Sequence, residues 1–299
     1  MNPRIDRILL GDNPFIGVDH LSQERSREKG AGFDSKRIVG IIDSALDSGA
    51  EGLVCSVHPS MKGALSYMHE EDDSRGFGVY LILPDVQTYV RLASERGVIG
   101  LLSETLGKLN LKGKAKAVAG GSLSVMTSDP TKVIKTYLDA EVSSFSKSLP
   151  KNATIKSVFL HELLTELMVS FEMDDFAEEY IDFVKDSSNA IPGFVTRNLA
   201  RFVNFGRRLR FPLSDFAVMT PFNKVGFQMN PSRESCEKAL DSAPGLNVIA
   251  MSVLASGYLS LEEAMEYIKS LGRPVSCVVG VSNEAHAFET FSYLRTMFA

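Results

Sequence analysis

The feature that most constrains the fold of this chain is the alternation of short apolar segments with helical patterns. The clearest example lies between Asn247 and Glu284. There a buried strand (247–251) is followed by a loop of small residues, a helix, a second buried strand (276–280) and the start of another helix. Strands that are apolar on both faces and separated by helices are typical of a parallel sheet covered by helices. The pattern therefore predicts an α/β protein.

The same alternation runs along the whole chain and gives nine candidate strands. They are 8–11, 52–57, 78–83, 114–119, 155–160, 191–195, 216–221, 247–251 and 276–280. Near-regular alternation without a linker predicts one (β/α)8 TIM barrel, a single domain over residues 1–299. A barrel of this kind closes with eight strands, so one candidate is expected to lie outside it. The weakest patterns are 8–11 and 78–83. An open doubly wound sheet is the alternative, but no Gly-x-Gly-x-x-Gly follows the first strand.

Local signals mark several helix ends. Asp34 is expected to cap the helix that Gly49 ends, and Ser260 with Glu263 forms a capping box. The polar stretch 21–33 has no clear period and is too long for a plain connection. Long loops of this kind are either functional lids or loops without a fixed role, and both interpretations stay open.

Composition excludes several classes of partner. The net charge of −5 argues against binding to nucleic acid or to an anionic membrane. Three cysteines far apart do not suggest a disulfide framework, and they fit a reducing compartment. No apolar run reaches about 18 residues, the length needed to span a membrane. We therefore expect a cytoplasmic protein with a small-molecule ligand. No motif predicts its oligomeric state.

In a barrel, function is expected where the strands end at their carboxyl side. Polar residues follow several of the candidate strands. They are Asp12, Asn13, Ser56, His58, Asp85, His161, Glu162, Thr196, Arg197, Asn198, Thr220, Asn223, Ser252 and Ser256. His161 directly follows a buried strand and could donate a proton, stabilise an oxyanion or bind a metal. Glu162, His58 and Asp12 are its candidate catalytic partners.

These residues are compatible with two kinds of bound group, a divalent metal ion and a phosphate. Asp12, His58, His161 and Glu162 could together hold Zn²⁺, Mn²⁺ or Fe²⁺, although no tight ligand spacing supports a metal. The last two strand–helix loops, 252–257 and 280–283, could hold a phosphate because they join small residues to helix N-termini. No lysine or arginine lies within 276–289, which weakens the case for a pyrophosphate.

Several segments resemble segments of the aldo-keto reductase superfamily. These are 34–54, 158–161 (VFLH, similar to LYLLH), 193–196 (GFVT, similar to GVSN), 249–259 (IAMSVLASGYL, similar to IAYSPLAxGLL) and 278–283 (VVGVSN) with Glu289. The resemblance implies a barrel with a catalytic histidine at His161 and a site for NAD(P). Its implied cofactor-binding residues are Ser252, Leu254, Ser256, Gly280, Ser282, Asn283 and Glu289.

The catalytic residues of that family are mostly missing here. Its aspartate is expected at 53–56 and its tyrosine proton donor at 57–60, but neither segment contains that residue. Its lysine is expected either at 83–85 or at 119–121, and both lack a lysine. No arginine after Ser282 matches the one that holds the 2′-phosphate of NADP. Of the four catalytic residues only His161 remains, so ordinary carbonyl reduction is not expected.

Three functional hypotheses follow from the sequence. The first is a divergent oxidoreductase-like enzyme in which His161 is the general acid or polarising group for a small polar or phosphorylated ligand. The second is a metal-dependent hydrolase, lyase or isomerase on the same barrel. The third is a ligand-binding or assembly protein without catalysis.

Overall fold

Eight parallel strands pair in chain order and close into a barrel. The structure is a computed structural model that describes residues 5–16, 34–70, 75–86, 130–273 and 275–298, with only the backbone of 130–137. The predicted α/β class and the (β/α)8 barrel are therefore confirmed. The predicted lid at 21–33 lies outside the described residues.

The strands and helices alternate along the described chain. The strands are β1 (Ile8–Gly11), β2 (Gly52–Ser56), β3 (Phe77–Leu83), β4 (Ala153–Leu160), β5 (Ile191–Val195), β6 (Ala217–Pro221), β7 (Asn247–Met251) and β8 (Ser276–Gly280). The described helices are α1 (Ser35–Ser48), α2 (Pro59–Glu70), α3 (Pro130–Ser146), α4 (Glu162–Ser170), α5 (Asp174–Ser188), α6 (Leu199–Gly206), α7 (Arg233–Ser242), α8 (Leu261–Ser270) and α9 (Glu284–Phe298). None of these helices is long and apolar enough to cross a membrane.

Eight of the nine candidate strands are barrel strands. The two candidates with the weakest patterns, 8–11 and 78–83, both belong to the barrel, as β1 and β3. Ranking them as the least secure strands was therefore wrong. β1 has only four residues, but it pairs with β2 on one side and β8 on the other. Closure of the barrel therefore stabilises a strand that is too short to show a pattern of its own. The ninth candidate, 114–119, lies outside the described residues.

Apolar side chains fill two separate layers of the barrel. Alternate residues of each strand point into the lumen, and the others pack against the helices. The buried lumen residues are Leu9, Val54, Tyr80, Phe159, Ile191, Val195, Ala217, Met219 and Ile249. Gly193 of β5 leaves room for one of them, because a Cβ atom there would lie 2.5 Å from the ring of Phe159. The lumen is thus a packed core below its mouth.

The predicted helix ends agree with the structure. The Asp34 side chain accepts a hydrogen bond from the Arg37 N–H, and α1 ends at Gly49 with a φ of 127°. Ser260 and Glu263 form both hydrogen bonds of the capping box at α8. These local contacts fix where the helices begin, and therefore which loop residues lie above the strands.

Charged and polar groups close the amino-terminal end of the barrel. Lys156 forms an ion pair with Asp6, and the backbone N–H of Asp6 donates to the Tyr80 hydroxyl at 2.7 Å. Burial raises the pKa of Tyr80, so its hydroxyl stays protonated. Because the active sites of such barrels lie at the opposite end, we interpret this cluster as a plug that stabilises the fold.

Candidate active site at the barrel mouth

The lumen opens at the carboxyl ends of the strands. Ile82, Met251 and Val278 belong to the lumen cluster but are only half-buried, and Gly280 is exposed. The lumen residues nearest the mouth are therefore accessible from one side. Polar groups from the loops after β1 to β8 surround this opening.

His161 combines a lumen position with a fixed ring orientation. It follows β4 and lies two residues after the lumen-facing Phe159, so strand alternation directs it towards the lumen. As the N-cap of α4, its Nδ1 atom accepts a hydrogen bond from the Leu163 N–H at 3.1 Å. An Nδ1 that accepts cannot carry a proton, so the neutral ring carries its proton on Nε2.

The surroundings of His161 favour its neutral form. Burial lowers the pKa of His161, and the negative charge of Asp85 at the end of β3 partly offsets this by raising it. The bond from the Leu163 N–H and the positive end of α4 add to the preference for a neutral ring. At neutral pH, His161 is therefore a hydrogen-bond donor rather than a cation.

His58 is held in the same way after β2. Its Nδ1 atom accepts a hydrogen bond from the Ser60 N–H at 3.2 Å, at the start of α2. A histidine that binds a metal through Nε2 normally donates its Nδ1 proton to a neighbour. In His58 and His161 the Nδ1 atom instead accepts a hydrogen bond. The ring proton therefore lies on Nε2, the nitrogen that would bind the metal.

The four predicted metal ligands do not form a metal site. Glu162 is paired with Arg197, whose Nε atom lies 2.8 Å from its Oε1. Asp12 is buried against β2. In the described ranges, no group of three or more His, Cys, Asp or Glu side chains lies close enough to hold a metal ion.

A hydrogen-bonded network joins the ends of β4 and β5. Glu166, in α4, accepts from the Thr196 hydroxyl at 2.7 Å and from the Arg197 N–H at 3.0 Å. Asn198 caps α6 by accepting from the Arg201 N–H. Glu166 was not predicted as a site residue because it lies inside a helix rather than at a strand end. Its spacing of one helical turn from Glu162 could have pointed to it.

Burial raises the pKa of Glu162, and the ion pair with Arg197 partly offsets this by lowering it. The two groups are each about one third exposed, so the pair is worth no more than about 1 kcal/mol of stability. Its main effect is to fix the orientations of the Arg197 and Glu162 side chains.

Asp12 lies behind the end of β2. Its Oδ2 atom accepts a hydrogen bond from the Ser56 N–H at 2.6 Å, and the Ser56 side chain also bonds to this carboxyl group. Asp12 is 2% exposed, and burial raises its pKa to about 6. The thiol of Cys55 is also buried, and burial together with the Asp12 charge raises its pKa. A carboxyl group that titrates near neutral pH suits proton transfer.

The predicted cofactor loop after β7 has an unusual backbone. Ser252, Ala255 and Ser256 have φ values of 54°, 46° and 58°, a left-handed conformation that costs free energy for non-glycine residues. The buried side chain of Asn223 donates to the Ser252 carbonyl and thereby ties this loop to the one after β6. Leu254 packs against the outer core. These contacts hold the loop in one shape at the mouth.

The predicted cofactor-binding residues after β8 lie at different positions along the last loop and α9. Gly280 lies at the mouth, where a Cβ atom would lie 3.0 Å from the Pro14 ring. Ser282 is half-buried in the loop, and Asn283 caps α9 by accepting from the His286 N–H at 2.8 Å. Glu289 is exposed on α9 and lies away from this cap.

A cleft lies between α1 and the start of α9. It has a volume of about 310 Å³ and is lined by Arg37, Ile41, Asn283, Glu284 and Ala285. No lysine or arginine lies between 276 and 289, but Arg37 lines this cleft. This residue was not predicted because it lies in α1, far from β8 in the chain.

The structure also shows which of the two segments considered for a lysine, 83–85 or 119–121, lies at the end of β3. β3 is the strand that follows β2, and it ends at Leu83. The position at its end is therefore 83–85, and it carries Asp85 instead of a cation. The alternative segment, 119–121, lies outside the described residues.

Comparison with known proteins supports the fold. No protein-family model matches the sequence, and no curated protein is significantly similar to it. Among solved structures, a Pseudomonas aeruginosa protein assigned as an aldo-keto reductase matches with a TM-score of 0.57 and 10% identity over 99% of this chain and 92% of its own.

Two further structures give the same result. Glycerol dehydrogenase from Gluconobacter oxydans matches with a TM-score of 0.55 and 13% identity, over 100% of this chain and 89% of its own. An aldo-keto reductase from Klebsiella pneumoniae, in complex with NADPH, matches with a TM-score of 0.52 and 10% identity, over 97% of this chain and 86% of its own. The chain therefore has the closed eight-stranded barrel fold that these aldo-keto reductases share.

Proposed function

We propose that the protein is an enzyme that binds a small polar ligand at the barrel mouth and polarises one of its oxygen atoms with His161. The observation that carries this proposal is the hydrogen bond from the Leu163 N–H to Nδ1 of His161. It leaves a neutral Nε2–H as the ring's donor, on a residue that strand alternation directs towards the lumen. A neutral imidazole in this state can polarise a carbonyl group without carrying a charge.

The other predicted catalytic residues have supporting roles in this proposal. The charge of Asp85 acts on His161, and Glu162, the next residue in the chain, is paired with Arg197. His58 presents a second Nε2–H donor after β2, because its Nδ1 atom is also occupied. Asp12 is the buried carboxyl group on this side of the mouth. Together they form a polar site that suits a ligand with several oxygen atoms.

A thermal-shift screen with small carbonyl compounds and sugar phosphates tests the proposal. A ligand present at 100 times its Kd stabilises the folded protein by about 2.7 kcal/mol, which is several degrees for a domain of this size. We expect at least one compound to stabilise the wild type and to lose its effect on His161→Ala. His69→Ala is the matched control, because the His69 ring contacts the Leu149 carbonyl outside the mouth. If the compound raises the melting temperature of His161→Ala as much as that of the wild type, His161 is not part of the site.

A second candidate function is an oxidoreductase that uses NADP(H) on the same barrel. The observation that favours it is the cleft in which Arg37 lies across from the N-terminus of α9. A guanidinium and a helix N-terminus suit a phosphate, so Arg37, Asn283 and Ala285 would hold one phosphate of the cofactor. Glu284 in the same cleft opposes this binding. When bound, the cofactor would supply a hydride.

The same screen with NADPH and NADP⁺ separates the two candidates. Stabilisation by NADPH that Arg37→Ala abolishes would establish the oxidoreductase, despite the missing tyrosine and lysine. Arg201→Ala is the control, because Arg201 lies on α6. Elemental analysis of the same sample completes the test. Stoichiometric zinc, manganese or iron would favour the metal-dependent alternative. The absence of both a bound metal and a response to NADP(H), together with a large oligomer, would favour the non-catalytic one.

We propose that the protein works in the cytoplasm. All three cysteines, Cys55, Cys236 and Cys277, are free and buried, as expected in a reducing compartment. Thiol titration of the unfolded protein, purified without reductant, should give three free thiols per chain. Fewer than three would contradict the assignment.

A further inference from the structure

Ser56 connects a buried carboxyl group to the mouth of the barrel. Asp12 is 2% exposed, so a ligand in the lumen reaches it through Ser56, whose N–H and side chain both bond to it. Ser56 is half-buried, and it lies two residues after the lumen-facing Val54. Strand alternation therefore directs its hydroxyl towards the lumen, with Asp12 behind it.

Ser56 and His161 lie on opposite sides of the same strand. In the barrel register Ser56 pairs with Ile82 of β3, and Ile82 pairs with Phe159 of β4. His161 is two residues beyond Phe159. With strands about 4.8 Å apart and a rise of about 3.3 Å per residue, the two Cα atoms are roughly 10–12 Å apart. Their side chains can therefore contact a small molecule of a few heavy atoms that sits over Ile82.

We propose that the protein catalyses proton transfer at a carbon next to a carbonyl group, with Ser56 as a further catalytic residue and Asp12 as the positioning residue that exchanges the proton with it. This inference rests on the proposed function, because it takes His161 as the donor to the carbonyl oxygen. The substrate class is a small α-hydroxy carbonyl compound, whose two oxygen atoms suit the donors at this mouth.

The step balances without a cofactor. The C–H proton moves to Oγ of Ser56 while the hydroxyl proton of Ser56 moves to the carboxylate of Asp12. The electron pair of the broken C–H bond becomes part of an enolate, whose oxygen accepts a hydrogen bond from Nε2–H of His161. Return of the proton by the same route to the same carbon gives back the substrate. Its return to the former carbonyl carbon gives the isomer, provided that the hydroxyl proton of the enolate moves to the oxygen that was the carbonyl oxygen, so that the second carbonyl group can form. The step needs no external oxidant or reductant.

The groups around Asp12 are compatible with this role. From β2, the Ser56 N–H and side chain contact the carboxyl group, and the Cys55 thiol interacts with it electrostatically. A buried carboxylate facing a neutral thiol and a hydroxyl is a stronger base than one in water, because burial disfavours its charged form. Ionised Asp12 is required, so the rate should rise with pH and level off above about pH 6.

The test is deuterium exchange in D₂O, followed by ¹H NMR, with hydroxyacetone and dihydroxyacetone as probes. We expect the wild type to catalyse exchange at the carbinol carbon. Ser56→Ala and Asp12→Asn should each reduce the rate at least 100-fold, the usual contribution of a positioned acid or base. Ser56→Thr keeps the hydroxyl and should restore much of it. Ser188→Ala is the matched control, since its hydroxyl bonds within α5.

The outcomes separate this inference from the proposed function. No exchange by the wild type overturns the proton-transfer assignment, and His161 is then judged by its own thermal-shift test. Exchange that survives Ser56→Ala overturns the role of Ser56. Exchange that is lost in Ser56→Ala but kept in His161→Ala supports the relay and overturns the role of His161. A pH profile that still levels off above about pH 6 in Asp12→Asn would exclude Asp12 as the group that titrates.

Discussion

The Nδ1 atom of His161 accepts a hydrogen bond from the backbone N–H of Leu163, two residues later, at a distance of 3.1 Å. This contact does two things at once. It caps the start of α4, and it fixes the ring proton on Nε2. A protonated ring would lose the cap, because both its nitrogens would then be donors.

The first prediction is that His161 titrates below its usual pKa of 6.5. Since the folded protein holds the neutral ring, the unfolded chain binds more protons between the two pKa values. The stability from this residue is therefore present above pH 6.5 and is lost as the pH falls below it. Histidine NMR should show the low midpoint directly. Asp85→Asn should lower the pKa of His161 further, and an increase would contradict the electrostatic assignment.

The second prediction concerns the cost of the buried carboxylate of Asp12. Its pKa of about 6, against 3.8 in water, means that the folded state binds a proton more strongly than the unfolded chain. Stability should therefore fall as the pH rises from about 4 to 6 and should stay reduced above that range. At about 1.4 kcal/mol per pH unit, the cost at pH 7.5 is about 3 kcal/mol.

Asp12→Asn should recover part of this free energy, because asparagine can still accept from the Ser56 N–H without a charge. Urea denaturation at pH 7.5 should show a gain of about 1–3 kcal/mol. At pH 4.5 the gain should be much smaller, which is the internal control. Equal effects at both pH values would show that folding does not raise the pKa of Asp12.

The third prediction separates the plug of the barrel from its mouth. Tyr80→Phe removes the acceptor of the partly buried Asp6 N–H at the amino-terminal end, and loss of a hydrogen bond of this kind costs about 0.5–1.5 kcal/mol. Ligand-induced thermal shifts should be unchanged, since the mouth is at the other end. Tyr258→Phe is the control, because Tyr258 is 78% exposed. It should change stability by less than about 0.5 kcal/mol.

The fourth prediction concerns packing in the lumen. A Cβ atom at Gly193 would lie within 2.5–2.7 Å of three ring atoms of Phe159, so Gly193→Ala should cost about 1–3 kcal/mol by overpacking. Phe159→Leu in the same chain should reduce that cost, as measured in a double-mutant cycle. At Gly245 the nearest atom lies 3.9 Å away, and Gly245→Ala should be nearly neutral. Equal effects at both glycines would contradict the packing argument.

The sequence by itself determined the class of fold. Apolar segments and helical periods are local patterns, and so are the caps at Asp34 and Ser260, which the structure reproduces. These patterns also placed His161 at a strand end. The same local patterns ranked β1 and β3 as the least secure strands. Barrel closure stabilises a strand through both of its neighbours, and a local pattern does not contain this information.

Only the tertiary structure decided which side chains work together. Asp12 and Ser56 are 44 residues apart, yet they are hydrogen-bonded because β1 and β2 are neighbours in the barrel. Arg37 reaches the cleft beside α9 only because the last helix packs on the first. The proton position on His161 depends on a single backbone N–H. Such contacts are set by strand register and helix packing, which act over distances in the chain that a local pattern does not encode.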